Sequence, residues 1–120
     1  MWYCVHALLY FRYKDGKQDE FPAWENLYLI KAPSVETARL EGERRAKQDE
    51  TDSDGTLSYN DRPATLTFAG ILRVVECEDL DMNSGLPISG TELSYNELTI
   101  PDKIEFDKLV RGESANVIVH

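Results

Sequence analysis

The stretch from Ala64 to Glu78, Ala-Thr-Leu-Thr-Phe-Ala-Gly-Ile-Leu-Arg-Val-Val-Glu-Cys-Glu, is the longest apolar, β-branched run in the chain. A run of this kind reads as a strand with cover on both sides. It is expected to be the central strand, and the rest of the chain must then cover its two faces. Strict alternation puts Leu66, Phe68, Leu72 and Val74 on one face, interrupted by Gly70. Ala69, Ile71, Val75 and Cys77 share the other face with Thr65, Thr67 and Arg73.

The segments before it fit that demand. Residues 2–13 carry Trp2, Cys4, His6, Leu8 and Tyr10 on one side and Tyr3, Val5, Ala7, Leu9 and Phe11 on the other, so this strand too is apolar on both faces. Asp15-Gly16 marks a hairpin turn, because glycine accepts a positive φ without steric cost. A second strand is expected over residues 23–32, with Pro22 just ahead of it, where a missing N–H does least harm. At Ser34 the period changes. Its hydroxyl suits a helix N-cap, and Glu36 puts negative charge in the first turn. Val35, Ala38, Gly42 and Ala46 form a stripe of small residues at helical spacing. A glycine inside a helix costs about 1 kcal/mol against alanine. Close approach to the sheet is the most economical reason for Gly42.

Residues 48–63 read as an acidic loop holding a short extended piece at 56–59, and residues 78–90 as a second one, with turns at Asn83-Ser84-Gly85 and Ser89-Gly90. A fourth strand follows over 91–100, then a short helix over 102–111 and a short strand over 115–119. The expected architecture is a single α+β domain over 1–120. Its core, 1–100, is a mostly antiparallel sheet in ββαββ order with one main helix on one face; residues 101–120 form a C-terminal extension. One helix cannot cover two apolar faces. The extension and a symmetric second copy are expected to supply the remaining cover, which points to a homodimer.

Charge narrows the function classes. The net charge of −9 repels phosphate and anionic lipid, so neither nucleic acid nor a membrane surface is an expected partner. A basic protein partner would be attracted. The N-terminus lacks a basic region and a small-residue cleavage site, and Cys4 and Cys77 make no disulfide framework. A reducing cytoplasm is the expected compartment.

Several short blocks occur in a telling order: the opening Met-Trp-Tyr-x-Val, then Trp24 to Ala32 running into Ser34 and a charged helix, then Phe68-Ala69-Gly70-Ile71-Leu72, and finally Gly90-Thr91-Glu92-Leu93. Over roughly residues 1–98 the chain resembles the bacterial family called domain of unknown function 4288. It departs from that pattern in its long acidic loop before the Ala64 strand, its longer loop at 78–90 and its tail after Pro101. The resemblance implies a small α+β domain. It carries over no activity and no catalytic residues.

Three groups of residues could carry chemistry. Glu50, Asp52, Asp54, Thr56 and Asp61 approximate a calcium loop, with carboxylates at alternate positions and Gly55 at the sharp turn. The first ligand is Glu where Asp is usual, the last is the short Asp, and Pro63 with a strand follows where a helix should exit. A solvated acidic loop is the preferred reading. Cys4 and His6 share a strand face, and Cys77 could lie on a neighbouring strand. They could activate a thiolate or join a zinc site, yet free cysteines in apolar strands are usually core residues. The aromatics of the first hairpin, with Trp2, Cys4, His6, Trp24 and Tyr28 as the candidate lining, could form a ligand pocket, although such side chains more often fill a small core.

The chain is therefore expected to be a non-catalytic protein-binding module without a cofactor, in a toxin-neutralising or defence role by analogy of size and charge. The alternative is a small enzyme or ligand-binding domain with its pocket at the sheet or dimer interface.

Overall fold

The computed structural model describes residues 1–77 and 89–120. The expected turn at Asn83-Ser84-Gly85 lies outside the described residues, as does the end of the Ala64 run at Glu78. The chain folds as β1 (Trp2–Tyr13), β2 (Phe21–Lys31), α1 (Val35–Lys47), β3 (Ser58–Tyr59), β4 (Arg62–Cys77), β5 (Thr91–Ile100), α2 (Lys103–Val110) and β6 (Ile118–Val119). All strand pairs are antiparallel, in one sheet of order β3-β4-β1-β2-β5-β6.

This is the expected α+β class, with corrections. The short extended piece, the short second helix and the short last strand expected around ββαββ are present as β3, α2 and β6, and helices lie on both faces of the sheet. The central position belongs to β1, which is flanked along its length by β2 and β4. The Ala64 run, β4, sits nearer the edge. Outside β1 its neighbours among the described residues are β3 at Arg62 and Pro63 and a single bridge from Thr51 to Leu66. Pro22 does not precede β2 but lies within it, buried and opposite Thr99.

The face assignment along β4 also changes. Its register against β1 slips at two places, where Ala69 and Leu72 are extra residues: Leu9 pairs with Phe68, Leu8 with Gly70, Ala7 with Ile71 and His6 with Arg73. Each bulge reverses the alternation downstream of it. Ile71 consequently joins Leu66, Phe68 and Val74 on one face, while Leu72 joins Ala69 on the other.

On the first face lies α1. Ser34 caps it, its hydroxyl accepting from the Thr37 N–H at 3.2 Å. The small stripe is what lets the helix seat. Ala38, Gly42 and Ala46 are buried, and a Cβ on Gly42 would stand 2.4 Å from Val5 Cγ1. Under this helix and its flanking loops pack Tyr3, Val5, Ala7, Leu9, Tyr28 and Ile30.

The opposite face is covered in part by α2, capped by Asp102 accepting from the Glu105 N–H. Phe106 is its buried anchor. It stacks on Phe21 at 4.3 Å between centroids and meets Tyr10 edge-on at 4.9 Å, over Leu8, Ala23, Leu98 and Ile100. A fully buried Leu or Ile contributes about 1.5–3 kcal/mol, so the C-terminal extension is part of the core. Among the described residues no helix is long and apolar enough to cross a membrane.

Candidate functional site

Two chains of polar side chains run across the sheet, one on each face. On the α2 face, the period-2 geometry of β1 puts Cys4 and His6 side by side. His6 Nε2 lies 3.7 Å from Cys4 Sγ, and His6 Nδ1 lies 3.2 Å from Glu25 Oε2. Glu25 comes from β2, diagonal to His6, because its direct neighbour is Leu8. Asn96, opposite Glu25 on β5, donates to Glu25 Oε1 at 3.1 Å. Arg73 stands opposite His6, and Cys77 opposite Trp2.

This order of groups, thiol to imidazole to carboxylate to amide, is that of a nucleophile with its base and orienting acid. Its electrostatics work against a resting thiolate. Burial pushes the Cys4 thiol above its ordinary value, and Cys77 and Glu25 push the same way, against Arg73 alone. Cys4 is half-buried and His6 only 7% exposed. Both cysteines are free thiols. Among the described residues no three His, Cys, Asp or Glu side chains are grouped to hold a metal ion.

The α1 face holds the second chain. Asn26 Nδ2 donates to the Tyr28 hydroxyl at 3.0 Å, and that hydroxyl donates to Asp49 Oδ2. Arg45 closes the chain. It bonds Asp49 Oδ1 at 2.9 Å and the Gly90 carbonyl at 2.9 Å, with its guanidinium 4.8 Å from the Tyr28 ring centroid. Burial, then the Asp49 carboxylate, drives the Tyr28 hydroxyl far above its usual value, so it stays a donor. Burial and Asp49 also raise the Glu92 carboxyl, against Arg45. Asn26 Oδ1 is buried without a partner among the described residues.

The expected aromatic pocket is therefore divided. Trp2, Cys4 and His6 face α2, whereas Tyr28 and Trp24 pair with Val5 and Leu9 and face α1. Adjacent strands share a face only in matched register, and this register puts the two sets on opposite sides. Trp2 has Lys31 above its ring at 5.9 Å. Trp24 stands edge-on to Phe11 at 5.2 Å and 5.7 Å from Tyr95.

In the acidic loop the carboxylates take separate partners. Glu50 Oε2 accepts from the Phe68 N–H, and Asp52 pairs with Lys14 at 3.3 Å. Thr56 spends its hydroxyl on the Ser53 carbonyl. Asp54 and Asp61 are exposed at positive φ, the latter in the two-residue turn joining β3 to β4. Sequence reasoning missed Glu25, Asn96, Arg45 and Asp49. For Glu25 there was one signal, a charge in mid-strand between Trp24 and Leu27.

A family model described as Domain of unknown function (DUF4288) matches residues 2–93. The chain belongs to this family, and the match ends within β5, before α2 and β6. No curated protein and no solved structure matches the chain.

Proposed function

We propose that this member of the family is a non-catalytic protein-binding module that takes an extended, basic segment of a partner along the outer edge of β5. The observation that carries this reading is the state of that edge. β6 pairs with β5 at Leu98 and Thr99, and among the described residues no strand lies against residues 92–96 on the side away from β2. Leu93 and Tyr95 are 49% and 53% exposed there. Unpaired edges recruit strands, and alternate side chains of the added strand supply specificity. Farther along β5, at Glu97 and Leu98, a cavity of about 290 Å³ lined also by Trp24, Leu57, Tyr59 and His120 suits an apolar side chain. Glu92 and Glu97 on the same strand, in a chain of net charge −9, favour a basic segment over an acidic one. Neutralising a toxin or serving in a defence system is one use for such a module.

The test titrates labelled extended peptides of alternating lysine and valine, at low and high salt. We expect backbone amide shifts concentrated at residues 92–97, affinity that falls with salt, and at least tenfold weaker binding to Tyr95→Lys. Equal binding of a glutamate-valine peptide, or shifts confined to other strands, sinks the reading. Sedimentation of the same proteins separates a further outcome: self-association abolished by Tyr95→Lys would give the edge to a second copy, the homodimer expected from the sequence.

The Cys4–His6–Glu25 contacts favour a second reading, a small thiol enzyme or ligand-binding site on the α2 face. It requires Cys4 to react with iodoacetamide at neutral pH faster than a free thiol, and His6→Ala to slow it. A slow rate indifferent to His6 dismisses it.

A further inference from the structure

We propose that the cavity between the β1–β2 turn and the first turn of α2 binds a small organic anion, a carboxylate or phosphate monoester joined to an aromatic body. The cavity has a volume of about 580 Å³, within the usual range for small-molecule sites. Arg12, Lys14 and Lys103 line it, and among the described residues no Asp or Glu does. In a chain with 22 acidic and 13 basic residues, a lining with cations and no carboxylate is the reverse of the general surface.

The cations differ in availability. Lys14 pairs with Asp52 at 3.3 Å and Lys103 with Asp107 at 2.6 Å, so those carboxylates offset part of their charge from outside the cavity. Arg12 is exposed, and among the described residues its guanidinium has no hydrogen-bond or ion-pair partner. A guanidinium offers a planar fork that matches carboxylate and phosphate oxygens with two parallel hydrogen bonds. Arg12 sits on β1 opposite Thr65, which also lines the cavity. The N-terminus of α2 is not the anion site, because Asp102 already caps it.

The apolar requirement comes from the inner wall. Tyr10 and Phe21 line the cavity, their ring centroids 5.7 Å apart, with Phe106 packed behind both. Flat aromatic surface beside an unpaired guanidinium selects a ligand with a ring at one end and an anionic group at the other. A bare inorganic ion would leave that wall unused. The site is independent of the β5 edge.

The test titrates the full chain with phenyl phosphate, benzoate, inorganic phosphate and phenyltrimethylammonium, followed by amide shifts and thermal melting. We expect phenyl phosphate or benzoate to saturate in the millimolar range or below, shifting residues of β1 and the first turn of α2. Whichever binds more tightly distinguishes phosphate from carboxylate. Inorganic phosphate should bind at least tenfold more weakly, and Arg12→Gln should lose at least tenfold in affinity. Lys103→Gln provides a second exposed variant, with a smaller loss. Absence of saturation, equal binding by Arg12→Gln, equal binding of inorganic phosphate, or equal binding of the cationic probe would each overturn the proposal.

Discussion

The two polar chains that cross this sheet pass through neighbouring residues of one strand, Glu25 and Asn26, and end very differently. On the α1 face, the chain from Asn26 through Tyr28 and Asp49 to Arg45 finishes on the Gly90 carbonyl, and Tyr28 is wholly buried. On the α2 face, the chain from Asn96 through Glu25 and His6 finishes on the half-buried thiol of Cys4. A buried polar chain that closes on a backbone carbonyl fixes packing. One that ends on an ionisable, partly exposed group has a proton to lose. The lesson is that the first is a fastening and the second is the place to look for chemistry.

The largest effect is expected where the fastened chain is cut. Tyr28→Phe removes the hydroxyl between a buried amide and a carboxylate, so it should cost about 1–3 kcal/mol in urea unfolding. A loss as small as that of Glu25→Gln would erase the distinction between the faces. Gly42→Ala comes next. Its Cβ would press into Val5, and overpacking costs about 1–3 kcal/mol, offset by about 1 kcal/mol of helix propensity. A stabilised Gly42→Ala would mean that α1 can lift away from β1.

A smaller effect should separate the two chains by pH. The raised pKa of Cys4 means that the folded state holds its proton more tightly than the unfolded chain, whose ordinary value is 9.0. That stability is complete below 9.0 and is lost as pH rises through the raised value. Cys4→Ser should therefore lose less stability than the parent on going into alkali. Iodoacetamide alkylation of Cys4 should inflect above pH 9.0, and higher still in Arg73→Gln, which removes the one charge that pulls it down. The smallest effect is expected from calcium. Glu50 and Asp52 are engaged elsewhere, so melting temperatures with calcium and with chelator should coincide.

Local order was legible in the residues. The span of β1, the Ser34 cap and the small stripe of α1 each follow from interactions within a few residues, and Gly42 stands against Val5 as close approach requires. Non-local order was less so. Alternation along Ala64–Cys77 assumes an unbroken pleat, and nothing in Ala69 or Leu72 announces the bulges that exchange Ile71 and Leu72 between faces. Centrality depends on which strands pair, and apolar content alone pointed to β4 when β1 holds that place. At the candidate site, Cys4 and His6 could be seen together because they share one strand face. Glu25 and Asn96 could not, because they arrive across a diagonal and a third strand.

The match to the family ends at Leu93, yet Leu98, Ile100 and Phe106 complete the cluster that holds Leu8, Phe21 and Ala23 away from water. An expression design that follows the family boundary would strip one wall from the sheet and leave an apolar strip in its place. Such a fragment should be recovered as aggregate, while the chain through α2 stays in solution. For anyone producing this protein, the folding unit runs past the family boundary and includes the helix beyond it.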